Sequence, residues 1–188
     1  MFAIEEYLAE LKNSLDELNS IQLSRSFELL ECCYKNKNWV YIGGNGGSAT
    51  IAQHFATDWT KGLFEKTGKA LKSFALNSNI GLASAVSNDL GNTSMFDLPL
   101  RALAKTDDLL VLISSSGSSE NILRAADFAK SIGMKTIGLS GFGDSVLSKI
   151  CDVSIKVNST NMQIIEDTHS VFGHLVFKYL SGENEIIE

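Results

Sequence analysis

Five short apolar runs, each followed by a helical pattern, constrain the fold of this chain more than any other feature. They are Trp39–Gly43 (WVYIG), Leu71–Leu76 (LKSFAL), Leu109–Ser114 (LLVLIS), Lys135–Ser140 (KTIGLS) and Val153–Val157 (VSIKV). Each is short, often β-branched and bounded by Gly, Asn, Asp or Ser, which reads as a strand. The helical patterns between them cover Ser48–Thr60, Asn79–Asn88, Met95–Ala104, Glu120–Ser131 and Ser145–Ile150. A longer one, Met162–Leu180, carries Ile164, Ile165, Val171, Phe172, Leu175, Val176 and Phe177 on its apolar side. Near-continuous apolar strands alternating with helices predict a parallel sheet covered on both faces. The expected architecture is a doubly wound α/β three-layer sandwich with a five-stranded parallel sheet. Ligands in such folds sit at the carboxyl ends of the strands, where loops lead into helix N-termini.

Two helical patterns precede the first strand. Phe2, Ile4, Leu8, Leu11, Leu15 and Leu18 lie at roughly helical spacing within 2–18, and Ile21, Leu23, Phe27, Leu29, Leu30 and Cys33 do so within 21–36. Each has one apolar face, which needs cover from the rest of the domain or from another subunit. The chain has 188 residues, a single proline (Pro99), no Gly/Ser-rich linker and no internal repeat. With 44% hydrophobic and 20% charged residues, it is expected to fold as one globular domain over 1–188. Sixteen basic against twenty-two acidic residues leave 16 − 22 = −6, which argues against gripping nucleic acid by bulk charge. Cys32, Cys33 and Cys151 form neither a disulfide framework nor a CxxC zinc site. Cys32 and Cys33 read as helix core, and Trp39 as strand core. The acid-rich N-terminus is unlike a signal peptide, and no run of 18 apolar residues is present to span a membrane. These features predict a cytoplasmic protein.

Two strand-to-helix junctions are suited to an anion. The first reads Gly43-Gly44-Asn45-Gly46-Gly47-Ser48. Its glycines let a ligand approach bare backbone, and Ser48 falls near the N-cap of a helix whose free N–H groups favour an anion. It lacks the GK[ST] of a P-loop and the third glycine of GxGxxG, so no nucleotide cofactor is expected. The second junction reads Ser114-Ser115-Ser116-Gly117-Ser118-Ser119-Glu120-Asn121 and follows LLVLI directly. Hydroxyls and exposed backbone N–H groups can surround a phosphate without a fixed cation. Either loop alone could be a plain turn. The two together point to a phosphorylated small molecule.

The stretches GGNGGSATIAQHFATDW, SNDLG (Ser87–Gly91), ISSSGSSENILRAADFAK and MQIIEDTHSVFGH resemble the sugar isomerase (SIS) domain, and more closely its phosphoheptose isomerase branch. The resemblance runs from about residue 5 to residue 182. The serine loop marks the broad SIS class, and GNGGS followed by AQHF the narrower branch. The resemblance implies a five-stranded parallel core over 37–182. It also implies N-terminal helices within 1–36 that pack between subunits, and a homotetramer with active sites at subunit interfaces.

His54 and Asp58 are four apart on one expected helix and so share a face. Glu166 and His174 are eight apart on the last one, about 80° around its axis, and could converge on a point off its flank. These residue types make a plausible zinc set, against the plain alternative of a surface ion pair and a solvated glutamate. The resemblance favours the metal, since some phosphoheptose isomerases bind zinc through such positions. The chain departs from the family pattern at Asp58 (usually Glu), at Glu166 (usually Gln) and at Lys61 (where an Arg is common), which marks a divergent member.

The implied chemistry is aldose–ketose isomerisation of a sugar phosphate, most specifically sedoheptulose 7-phosphate, for bacterial surface polysaccharide. In this reading Asp58 and His174 are the acid/base pair. Ser114, Ser115, Ser116 and Ser119 bind the phosphate, and Asn45, Gly46, Gly47, Ser48 and Asp89 hold hydroxyls or phosphate. Glu166 is a ligand or a second acid, and zinc would sit among His54, Asp58, Glu166 and His174. His169, five residues from His174, is expected to point elsewhere as a structural histidine. The alternatives are a non-catalytic sugar-phosphate-binding or protein-interaction relative, or an isomerase of a different sugar phosphate.

Overall fold

The computed structural model describes residues 4–182, so Phe2 of the first helical pattern lies outside the described residues. The chain runs α1 (Ile4–Asp16), α2 (Ser20–Asn36), β1 (Trp39–Gly44), α3 (Gly47–Thr57), a π-helical turn (Asp58–Gly62), α4 (Leu63–Thr67), β2 (Lys72–Ala75) and α5 (Ile80–Asp89). A 3-10 turn (Asn92–Ser94) then leads to α6 (Asp97–Leu103), β3 (Leu109–Ser114), α7 (Glu120–Ser131), β4 (Lys135–Ser140), α8 (Val146–Ile150), β5 (Val153–Lys156) and α9 (Met162–Ser181). Asn residues start three of the helices. Asn19, Asn79 and Asn161 accept from the amides of Gln22, Leu82 and Gln163 through their side chains.

All strand pairs are parallel, in the order β2-β1-β3-β4-β5. The expected five-stranded α/β sheet is therefore present. Its order reverses between β1 and β3, and that reversal opens a crevice at their carboxyl ends. The side chains alternate between two cores, as the strand period of two requires. Val40, Ile42, Val111 and Ile113 face Leu30, Cys33, Phe55, Phe172 and Val176 of α2, α3 and α9. Tyr41, Leu110 and Leu112 face Phe96, Leu100, Ile122 and Ala125 of α6, α7 and their neighbours. Each such side chain stabilises the fold by roughly 1.5–3 kcal/mol when fully buried.

The N-terminal helices divide. α2 packs Leu30 and Cys33 onto the sheet, whereas α1 leaves Ile4 and Leu8 largely exposed. Three expectations need correction. Helix 48–60 is one helix only to Thr57. It then takes an extra residue per turn through Asp58–Gly62, because the Trp59 carbonyl turns away to accept from the Leu71 amide at 3.0 Å. Trp39 is not core: as the first residue of β1 it stays exposed beside Lys72. Cys32 is exposed, since its neighbour Cys33 takes the inward position on α2.

Candidate active site

The two anion loops leave β1 and β3, the pair at which strand order reverses. In the first, Gly46 caps α3 with φ +55°, a conformation that L side chains rarely adopt. Ser48 is therefore not the cap. It is buried in the first helical turn, with its backbone carbonyl close beneath Gly44. The second loop is a turn held by its own serines. The Gly117 amide donates to the backbone and side-chain oxygens of Ser114, at 3.0 and 3.1 Å. Ser116 Oγ accepts from the amide and hydroxyl of Ser118, at 3.3 and 3.1 Å. Gly117 has φ +59° and lies against the Ser145 side chain, so no larger residue fits there. Gly141 fixes the turn from β4, donating to the Ser115 carbonyl at 2.9 Å. Ser114 is buried, while Ser116 and Ser118 face solvent. The hydroxyl of Ser114 is thus committed to the turn, and Ser118, not among the residues expected from the sequence, stands exposed beside Ser116.

A side-chain pair joins the loops. Asn45 Nδ2 donates to Asn121 Oδ1 and Asn121 Nδ2 donates to Asn45 Oδ1, both at 2.9 Å. The sequence motif alone assigns Asn121 no role. The available clue was an Asn in the first turn of the helix that follows the serines, a residue type that favours caps over helix interiors. A cavity of about 350 Å³ opens beside the pair, lined by Asn92, Thr93, Met95 and Glu120. Asp89, expected in a loop, is the last residue of α5, and its carboxylate accepts from the Asn88 amide.

α3 and α9 run side by side in the same sense, and this brings three of the candidate groups together. His54 Nε2 lies 2.9 Å from His174 Nε2 and 3.3 Å from Asp58 Oδ2, and His174 Nε2 lies 3.9 Å from the same oxygen. The imidazole rings meet edge to face at 85°. Two facing ring nitrogens at that distance suit a hydrogen bond in which one ring donates and the other accepts, the direction set by the tautomers. The trio can therefore both give and take a proton.

These groups also form a set of metal-ligand atoms, all within 4.8 Å of one another. Donors around tetrahedral zinc at 2.0–2.1 Å are about 3.3 Å apart, which the observed separations bracket. The residues fit the ion. Glu166 does not join this cluster. Eight helical residues carry it roughly 12 Å along α9 from His174, and its carboxylate instead fills the space that a Cβ on Gly47 would take. A negative charge at that helix start meets the positive end of the α3 dipole. Lys61 pairs with Glu65 one turn on, at 2.6 Å.

His169 is fully buried, with Nε2 donating to the Ser140 carbonyl at 3.4 Å and Nδ1 without a partner among the described residues. Burial pulls its pKa from 6.5 down to about 4. The unfolded chain takes up this proton before the folded one does. Its contribution to stability is complete above pH 6.5 and is lost as pH falls towards 4, by about 3 kcal/mol in all. Urea unfolding at pH 7 and pH 4.5 should show this loss, and His169→Phe should remove that part of it. An equal pH slope in the variant would place the titration elsewhere.

A SIS-domain family model matches residues 6–141. Strands β1 to β4 and both Gly- and Ser-rich junctions thus lie within a SIS domain. A phosphoheptose isomerase from Aliarcobacter butzleri is 34% identical over 182 residues, covering 96% of both chains. One from Campylobacter jejuni is 39% identical over 153 residues, 81% of this chain and 82% of the relative. The solved structure of a phosphoheptose isomerase from Francisella tularensis superposes with a TM-score of 0.87 at 29% identity, over 95% of this chain and 94% of that one. The chain belongs to the phosphoheptose isomerase branch of the SIS family.

Proposed function

We propose that this protein is a sugar-phosphate isomerase that converts sedoheptulose 7-phosphate to D-glycero-D-manno-heptose 7-phosphate. The observation that carries the reading is the convergence of His54, Asp58 and His174 where α3 and α9 meet, on the helix that begins at the first anion loop. Gly47 lies seven positions before His54 on α3, roughly 10 Å along the axis, a span within which an open sugar chain held at the trio can reach the first loop with its hydroxyls. The intact trio favours turnover over the non-catalytic alternative.

In this mechanism the phosphate sits in the serine turn on the hydroxyls of Ser116 and Ser119 and on backbone N–H groups, with Ser114 and Ser115 shaping the turn. The amides of Gly46, Gly47 and Ser48 and the side chains of Asn45, Asp89 and Glu166 hold hydroxyls. Asp58 takes the proton from C1 and returns it to C2 of the enediol. His174, through Nε2, protonates the C2 oxygen and takes the proton from the C1 oxygen, and His54 orients it. If zinc binds, His54, Asp58 and His174 would hold it, and it would supply a Lewis acid at the sugar oxygens in place of the His174 proton, with Asp58 still moving the carbon-bound proton.

Two features support a homotetramer with interfacial sites: the exposed Ile4 and Leu8 on α1, and the half-exposed side chains of His54 and His174. We place the enzyme in the cytoplasm as a single SIS domain over 1–188. Among the described residues no helix is long and apolar enough to cross a membrane.

The test is incubation with sedoheptulose 7-phosphate in D2O, with chelator-treated and zinc-restored protein. Deuterium should appear at C2 of the aldose by NMR, at a rate that falls on chelation and returns with zinc. Binding without exchange for every heptulose and pentulose phosphate tried would establish the non-catalytic alternative.

A further inference from the structure

We propose that Asn121 is a positioning residue that clasps the two substrate loops into one frame and so sets the distance between the phosphate seat and the reacting carbons. The inference rests on the isomerase reading above and adds a residue to it. Asn121 stands in the first turn of α7, directly after the serine turn, and is only 8% exposed. Its amide makes two reciprocal 2.9 Å bonds with Asn45, 76 residues away in the loop that opens α3. Its oxygen also accepts from the Ile122 amide at 3.0 Å. The side chain therefore touches the start of α7, which carries the phosphate turn, and the start of α3, which carries His54. The geometry restricts the partner. Each side of a reciprocal amide pair must offer one carbonyl and one NH2, which among side chains only Asn and Gln provide.

A phosphate alone needs only the serine turn. A sugar phosphate must reach from that turn to Asp58 and His174, so it depends on the two loops keeping their spacing. A misplacement of about 1 Å at the reacting atoms can lower a rate by about 10². Losing the clasp should therefore harm sugar-phosphate turnover and leave inorganic phosphate binding alone. A residue that merely stabilises α7 would affect both together.

The experiment is a double-mutant cycle on Asn45→Ala, Asn121→Ala and the double variant. Its readouts are kcat/KM for sedoheptulose 7-phosphate, Kd for inorganic phosphate and Tm. Each single variant is expected to lose about tenfold in kcat/KM, and the double variant no more than the larger single loss, because one shared interaction is removed only once. Phosphate Kd for Asn121→Ala should stay within twofold. Additive losses overturn the clasp, as does a phosphate Kd that weakens in step with kcat/KM. If Asn121→Ala does not fold, Asn121→Asp replaces it. An acid in the first turn of a helix favours folding, yet it sets oxygen against Asn45 Oδ1 and removes one of the two bonds. A loss of turnover with Tm unchanged supports the clasp, and wild-type turnover overturns it. If the wild-type protein turns over no sugar phosphate, the isomerase reading fails separately. The cycle is then read on sugar-phosphate affinity, where a loss shared by the two singles and absent for inorganic phosphate still supports the clasp, and its absence overturns it.

Discussion

Replacing His174 by alanine should lower kcat for sedoheptulose 7-phosphate by about 10²–10⁴-fold and leave the affinity for inorganic phosphate within twofold. The size is that of a lost general acid/base group. The separation of effects follows from placement, since His174 is on α9 against His54 and Asp58, whereas the proposed phosphate seat is the turn between β3 and α7. The side chain is more than half exposed, so its removal opens no cavity and should cost little stability. Asp58→Asn should produce a loss of the same order, because the isosteric amide keeps the shape and removes the proton acceptor. Steady-state kinetics with phosphate as a competitive inhibitor reads both quantities. If phosphate affinity falls with turnover in the His174 variant, the residue supports the fold and the acid/base assignment is wrong.

Gly173→Ala is expected to destabilise the protein by about 3 kcal/mol and to lower Tm by about 10 °C. The ordinary effect of this substitution inside a helix is opposite in sign, a gain of roughly 0.5–1 kcal/mol. Here the new methyl would land on the Phe55 ring, with Phe55 Cζ at 2.7 Å from the added carbon. The ring cannot step aside cheaply. It is 1% exposed, stacks on Trp59 with centroids 4.9 Å apart and borders Phe172 at 6.3 Å. The Trp59 indole also donates to the Gly173 carbonyl at 3.1 Å, so the same contact holds the π-helical turn that follows α3. Pushing α9 away from α3 separates His174 from His54 and Asp58, and kcat should fall by about tenfold or more in the folded fraction. Phe55→Leu in the Gly173→Ala background should recover part of the lost Tm, because it removes the ring edge that the methyl meets. A melting temperature equal to wild type would show that the α3–α9 contact yields freely and does not set the trio.

Much of this could be read from the chain. The alternation of strand and helix patterns placed the two junctions GGNGGS and SSSGSSEN at the carboxyl edge of a parallel sheet, where they are found. The four-residue spacing of His54 and Asp58 put both on one helical face, which the structure keeps through the π-helical turn. Less legible was how the last helix meets the third. Counting residues left Glu166 and His174 equally able to face the His54–Asp58 pair, and only the course of α9 along α3 gives His174 to that pair and Glu166 to the α3 N-terminus. Ser48 looked like a cap and Trp39 like core. Their local patterns permit those roles, but the Gly46 conformation and the position of Trp39 at the strand start exclude them.

Strand and helix periodicities and the demands of glycine and serine turns act over a few neighbouring residues, so the sheet, the order of its elements and the Gly- and Ser-rich junctions are legible in the chain. Tertiary structure alone decided which side chains share a point in space. The His54–Asp58–His174 cluster depends on Gly173 letting two helices touch, and the Asn45–Asn121 pair on strand order placing β1 beside β3. Contacts between residues 76 and 120 positions apart are settled by packing and hydrogen bonding across the whole fold, which local spacing does not encode.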